Sequence, residues 1–399
     1  MRLLYIANEY PPAPHGGIGI FVRSLAQSLA HEGHEVAVAG LDPGRRQTTQ
    51  YLEEGVRVLR LAPEYATGPR LQWGRYDLSP GIITGRVFLS RQVARFAREF
   101  RPDLVESHDW CGPLWFAPLR PLIVRLHGAH TLQARHRGAR PGRVLRFLER
   151  RNVQAADALI AVSEHIGRAT LAALGLPNKP FEVIYHGVDC NRFRPLAAPK
   201  DPGEILYVGT IHERKGVREL FSAVRQVLAE VPGSHVTVVG RLPSGSDGAT
   251  LTRQLITSLP AAARRRVRFA GPLPHEELPK VYSRAAAVVF PSRFEAFGLA
   301  RAEAMACGAA VVTAPHTSGP ELIEHENSGL LADPANPIEL AEAIVRLLRD
   351  HSLRRRLGEQ ARRRALERFN LAAQVQRNVA FYEKVVANSR PAWPLKRTA

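Results

Sequence analysis

A chain of 399 residues exceeds one ordinary domain of about 100–200 residues, so two domains are expected. Hydrophobic residues make up 45% and charged ones 23%, which excludes a disordered chain, and 55 Lys and Arg against 37 Asp and Glu give a formal charge of +18, which favours an anionic partner. Cys111, Cys190 and Cys307 are too few and too scattered for a disulfide framework or a cysteine-based zinc motif, and no apolar run approaches the roughly 18–20 residues of a membrane span.

The first apolar run breaks at Asn8-Glu9-Tyr10-Pro11, too early for a signal peptide, so a cytoplasmic protein is expected, free or peripheral at the cytoplasmic face of a membrane. Apolar runs at 3–7, 36–39, 104–106, 122–126 and 158–162 read as buried strands. Between them, 20–31 and 83–100 place apolar residues at helical spacing. Such alternation implies βαβ units, a parallel sheet and ligands at the carboxyl ends of its strands. A Pro-rich connector runs from Arg194 to Gly203, after which the pattern restarts with strands at 205–208, 236–239, 267–270, 287–291 and 310–313 and a helix at 217–228. The expected class is α/β, with Rossmann-like doubly wound domains at 1–199 and 200–370 facing each other across a cleft that takes a small ligand. A last amphipathic helix, 371–390, ends at Pro391 and Trp393 and completes the first domain.

Gly16 and Gly17 follow the first strand and open the first helix, where backbone amides can approach an anion; Val22 at the third glycine position excludes the dinucleotide fingerprint. Gly209-Thr210-Ile211-His212-Glu213-Arg214-Lys215-Gly216 holds the equivalent place in the second half, and its adjacent cations suit a diphosphate as well as a solvated turn. In Pro291-Ser292-Arg293-Phe294-Glu295-Ala296-Phe297-Gly298-Leu299-Ala300-Arg301-Ala302-Glu303, the carboxylates of Glu295 and Glu303 on one continuous helix would lie roughly 12 Å apart, too far for a direct acid–base pair. They fit one extended ligand touched at two points, or else a capping Glu295 and a surface Glu303. His127, at a strand end, suits a sugar hydroxyl, a phosphate, proton transfer or a purely structural bond. His108-Asp109 ends the preceding strand and carries the same ambiguity more strongly. The basic stretch from Arg135 to Arg151 fits an anionic membrane surface or a solvated face, and nucleic acid has only charge in its favour.

In this order the motifs resemble the retaining glycosyltransferases of family four, the GT-B family that uses nucleotide-sugar donors. The resemblance covers nearly the whole chain: Gly16-Gly17, Leu29 to Val36, Ala161 to Glu164, Val183 to Asp189 with Phe193-Arg194-Pro195, Tyr207-Val208-Gly209 with Arg214-Lys215-Gly216, the Glu295 and Glu303 pair around Phe297-Gly298, Ser318 to Glu321, and Asn327 to Leu330. It implies a UDP-, GDP- or ADP-sugar donor, a saccharide or lipid-linked acceptor, and transfer of a hexosyl group with retention and without an essential metal or cofactor. It places Gly16, Gly17, Gly209 and Thr210 near the donor, His127 beside the reacting sugar, Lys215 and Arg214 on the diphosphate, and Leu273 by the base. Glu295 with the backbone of Ala296, Phe297, Gly298 and Leu299 would hold sugar hydroxyls and the β-phosphate, and Glu303 the ribose. The reaction would thus rest on His127, Lys215 and Glu295. Two departures stand out: Thr210 where many members carry Arg, and His186 where many carry Asn. A nucleotide-sugar epimerase and a non-catalytic nucleotide-sugar-binding protein are the alternatives. Acceptor contacts are expected from the loops 44–51, 64–80 with Trp73 and Tyr76, and 132–141.

Overall fold

The computed structural model describes residues 1–12, 16–42, 44–62, 81–110, 112, 114, 119–197, 199–242 and 246–389. Cys111, the expected loop 64–80 with Trp73 and Tyr76, and Pro391 and Trp393 lie outside them. The chain divides into two units, one of Met1–Gly187 with the chain from Gln374 onward, the other of Val188–Ala373. The division falls ahead of the Pro-rich connector because Val188 is bonded to the second unit, its amide to Phe369 O at 2.7 Å and its carbonyl to Leu371 N at 2.9 Å.

The first unit runs β1 (Arg2–Ile6), α1 (Gly17–His31), β2 (Glu35–Leu41), β3 (Thr49–Glu53), β4 (Val56–Leu61), α2 (Gly81–Phe100), β5 (Leu104–His108), β6 (Leu122–Leu126), α3 (His130–His136), α4 (Arg143–Ala155), β7 (Ala158–Ala161), α5 (Glu164–Leu174) and β8 (Glu182–Val183). Its sheet has the order β3-β4-β2-β1-β5-β6-β7-β8. Pairing is parallel except for β3, which lies antiparallel on β4. Two sequence expectations change here: residues 49–51 are edge strand rather than loop, and 132–136 belong to α3. Helix signals elsewhere are local, as in α5, where Ser163 Oγ accepts the Ile166 amide at 3.2 Å and Gly175 closes the carboxyl end in the left-handed conformation.

The second unit runs β9 (Asp201–Val208), a short 3₁₀ turn (Glu213–Lys215), α6 (Val217–Glu230), β10 (His235–Val239), α7 (Ser246–Thr257), α8 (Ala261–Arg264), β11 (Val267–Gly271), α9 (Leu278–Arg284), β12 (Ala285–Phe290), α10 (Leu299–Ala306), β13 (Val311–Thr313), α11 (Gly319–Leu322), β14 (Leu330–Leu331), α12 (Pro337–Arg349) and α13 (His351–Arg368). Its parallel sheet has the order β11-β10-β9-β12-β13-β14. Strand order therefore reverses between β9 and β12, the position where doubly wound sheets bind ligands at their carboxyl ends. β12 is buried along its whole length, and α6 turns Leu220, Phe221, Val224, Val227 and Leu228 onto the sheet.

The chain then enters α14 (Leu371–Asn388), which from Gln374 belongs to the first unit. Its Tyr382 and Asn378 meet a buried polar cluster on β5 and β6: Arg125 donates to Glu106 at 2.7 and 3.0 Å, to Asn378 Oδ1 at 2.5 Å and to the Tyr382 hydroxyl at 3.2 Å, and that hydroxyl donates to Glu106 at 2.6 Å.

Candidate active site

Two loops meet at the reversal of the second sheet. The one after β9 carries Gly209, Thr210, Arg214 and Lys215; the one after β12 carries Glu295 to Gly298 and opens α10. His212 caps the 3₁₀ turn by accepting the Arg214 amide on Nδ1 at 3.0 Å, and the Tyr207 hydroxyl holds the Thr210 carbonyl at 2.8 Å. Gly216 sits at φ 71° with a Cβ position only 1.8 Å from the Pro291 carbonyl, so no side chain fits where the loops cross. Arg293 N donates to Arg214 O at 3.1 Å and ties the loops together.

That crossing brings Lys215 Nζ to 2.6 Å from Glu295 Oε2, with both side chains about one-fifth exposed. Ser292 Oγ lies 3.4 Å from the same oxygen. Burial alone would raise the Glu295 carboxyl, but the Lys215 ammonium, its hydrogen bond and the Arg301 and Arg214 guanidiniums outweigh burial and hold it below its ordinary range. Beneath the loop lies Arg301, 2% exposed, donating to Thr313 Oγ1 and Ser318 Oγ at 2.8 Å each and to the Phe297 carbonyl. Ser318 Oγ in turn reaches the carbonyls of Phe297 at 3.0 Å and Glu295 at 3.3 Å. Burial draws the Arg301 guanidinium down to about 10, which leaves it charged at neutral pH. Gly298, at φ 93°, lets the chain turn over Arg301 into α10, whose Arg301 and Ala302 amides both close on the Gly298 carbonyl, leaving those of Leu299 and Ala300 without an intrahelical acceptor. Phe297 is 1% exposed and meets Phe369 edge-on at 5.7 Å, so its ring is core.

Glu303 is buried rather than a surface group, and His275 Nε2 lies 2.9 Å from its Oε1. His275 follows the loop after β11 that carries the half-buried Leu273, and its ring meets Phe193 at 5.0 Å. The structure thus joins Lys215 to Glu295 directly and gives Glu303 a different partner.

His127, Gly16 and Gly17 belong to the first unit. The Gly16 amide is donated to Glu9 Oε2 at 3.0 Å, so an anion there would have to displace that carboxylate, while among the described residues nothing lies within 4 Å of a Cβ placed on Gly17. His127 directly follows β6 and is buried; its amide and that of Gly128 donate to the two oxygens of Asp109 at 3.0 Å each. The His127 ring lies 5.3 Å from that of His186, which stacks on Phe21 at 4.1 Å, and Arg125 lies over the Phe21 ring at 4.9 Å. The departure at His186 is therefore filled by stacking within the first unit.

Burial holds His108 down to about 4, and burial together with neighbouring cationic groups holds His127 and His186 well below 6.5. Burial pushes the Asp109 carboxyl up to about 7, against the two amides it accepts. Between about pH 4 and 6.5 the unfolded chain takes up three histidine protons that the folded unit refuses, while the folded unit keeps one proton on Asp109. The difference, three minus one, favours the unfolded chain by two protons, so these groups make stability rise with pH across that window. Asp109→Asn removes the opposing proton, and urea midpoints measured across the window should rise more steeply with pH in that variant.

Arg301, His275 and Ser292 were passed over in the sequence. Ser292 and Arg301 stand inside the Glu295 motif, and His275 follows Leu273 by two positions, so proximity to those motifs was the available signal.

The sequence model of the family described as Glycosyltransferase Family 4 matches residues 15–192, and that of Glycosyl transferases group 1 matches 191–364. Glycogen synthase of Mycobacterium tuberculosis is 30% identical over 389 residues, spanning 93% of this chain and 91% of the relative. D-inositol 3-phosphate glycosyltransferase of Corynebacterium jeikeium is 29% identical over 374 residues, spanning 87% of this chain and 86% of the relative. The solved structure of sucrose-phosphate synthase from Thermosynechococcus elongatus superposes with a TM-score of 0.81 at 25% identity, over 98% of this chain and 100% of that one. With its two doubly wound units and a relative of this identity and coverage, the chain belongs to the family four glycosyltransferases of the GT-B fold.

Proposed function

We propose that the protein is a retaining glycosyltransferase that moves a hexosyl group from a nucleotide-diphosphate sugar to a saccharide or lipid-linked acceptor, without an essential divalent metal, in polysaccharide or glycolipid assembly. The observation that carries this reading is the Lys215–Glu295 contact of 2.6 Å at the reversal of the second sheet, beside the amino terminus of α10. A diphosphate entering there takes Lys215 and Arg214 as charge partners, and the released Glu295 accepts sugar hydroxyls. As the bond from the anomeric carbon to the phosphate oxygen breaks, negative charge grows on the leaving diphosphate, where Lys215, Arg214 and the α10 amides stabilise it. The acceptor oxygen bonds to the same face of the anomeric carbon, and its proton passes to the departing phosphate oxygen. His127, held neutral, serves as a hydrogen-bonding group to the sugar rather than as a cation. Glu303 holds the ribose in exchange for His275, and Leu273 meets the base.

The names of the relatives, glycogen synthase and D-inositol 3-phosphate glycosyltransferase, support a saccharide or polyol acceptor. In the first unit Arg135, Arg143, Arg146 and Arg150 line an open depression of about 370 Å³ with the half-exposed Phe147, which suits a phosphorylated acceptor or an anionic membrane surface. No helix among the described residues is long and apolar enough to cross a membrane.

Proton NMR of the transfer product, made in the presence of a chelator, tests the reaction. The anomeric configuration of the donor should persist in the product. An inverted product, or turnover that stops on chelation, would overturn the proposal.

A further inference from the structure

A second pocket lies at the opposite end of the strands of the second sheet from Lys215 and Glu295. It is an open space of about 410 Å³ formed where the connector reaches β9, where the chain enters β12 and β13, and along α13. These are amino-terminal ends of parallel strands, whereas the Lys215 and Glu295 loops leave carboxyl-terminal ends. Lys200, Arg354, Arg355 and Arg362 line it against one carboxylate, Glu359, with His351 at the start of α13.

The guanidiniums of Arg362 and Arg354 are held in place by backbone carbonyls. Arg362 donates to the carbonyls of Phe193, Ala306 and Cys190 at 2.8, 2.7 and 3.1 Å. Arg354, 9% exposed, donates from Nη1 to the Leu347 carbonyl at 2.9 Å, and among the described residues its Nε and Nη2 have no hydrogen-bond partner. Carbonyl oxygens fix a guanidinium but do not cancel its charge. Asp350 accepts the Leu353 amide at 2.8 Å and offsets part of the Arg354 charge. Arg355 and Glu359 are 3.9 Å apart on an exposed helix face, a weak pair. Lys200, exposed at the pocket, has no hydrogen-bond or ion-pair partner among the described residues. Fixed guanidiniums with an added ammonium are the donor set for a phosphate group, and the volume falls in the range of small-molecule sites.

We propose that this pocket is a second small-molecule site, separate from the donor site, that takes a soluble phosphate monoester of hexose-phosphate size. A ligand there touches the carboxyl end of α10, where Arg362 holds the Ala306 carbonyl and Cys307 lines the pocket; the amino end of the same helix follows the Glu295 loop.

Calorimetric titration with glucose 6-phosphate and with inorganic phosphate, at fixed ionic strength, tests the site. The Lys200→Ala/Arg355→Ala double variant should weaken glucose 6-phosphate binding at least tenfold. Lys215→Ala and Arg225→Ala, the latter an exposed arginine of α6 outside the pocket, should leave it unchanged. Both Lys200 and Arg355 are exposed, so the double variant should retain the wild-type melting temperature. Weakening in Lys215→Ala alone would assign the ligand to the donor site, and equal weakening in Arg225→Ala would reduce it to general charge; either overturns the proposal, as does the absence of binding at millimolar ligand. Loss of co-sedimentation with phosphatidylglycerol vesicles in the double variant, without binding of either soluble phosphate, would overturn it in favour of a lipid headgroup.

Discussion

Lys215→Ala should lower donor turnover by about a thousandfold in kcat/KM, the upper end of what loss of one preorganised charge partner at a developing anion costs. Two losses combine. The leaving diphosphate is deprived of the cation that the crossing of the β9 and β12 loops places at the site. Glu295 is also left in a largely buried position without the Lys215 charge and hydrogen bond that lower its pKa, so its pKa rises from the wild-type value. In the wild type Glu295 stays ionised below the usual carboxylate range; in the variant the acid limb of residual activity should move to higher pH. Nucleoside diphosphate release, followed across pH with the donor alone and with acceptor, measures both effects. A variant within tenfold of wild type would show that Lys215 serves the fold and not the diphosphate.

Arg125→Met should destabilise the first unit by about 3–5 kcal/mol, the cost of leaving one partner of a buried ion pair alone. Arg125 is 0% exposed and joins β6 to Glu106 of β5 and to Asn378 and Tyr382 of α14. Burial opposes its charge, yet Glu106 and the adjoining hydroxyls hold the guanidinium more firmly protonated than usual. The effect should appear as faster amide hydrogen exchange in β5, β6 and α14 together. Glu106→Gln combined with Arg125→Met should cost less than the sum of the single changes, because the two act on one interaction. Since His127 directly follows β6, loosening this cluster also disturbs the histidine implied to face the sugar.

The strands that hold both sites were legible because each is a short apolar run buried on both faces, as in Val236–Val239 within β10 or Ala287–Phe290 within β12. β3 and β4 were not. In β3 the apolar Leu52 is exposed and Tyr51 only half-buried, which defeats the alternation, and in β4 a buried arginine interrupts the apolar run. That arginine, Arg60, donates to the carbonyls of Ala7, Asn8 and Leu41. Arg125, Arg301 and Arg354 are the same case: among 55 basic residues a buried arginine reads like a solvated one until its acceptors are seen. Glu295, Lys215 and Glu303 could be found from local motifs, but the partners could not. Lys215 and Glu295 lie 80 positions apart, and Arg125 and Asn378 lie 253 apart. Only the strand order brings them together.

Calorimetric titration of UDP-, GDP- and ADP-sugars into the wild-type protein and into Lys215→Ala, each with and without a chelator, tests the central assignment most directly. One donor should bind the wild type with an affinity the chelator does not change, and Lys215→Ala should weaken that binding at least tenfold. Binding of a donor that is unchanged in Lys215→Ala, or that requires a divalent ion, would contradict the account.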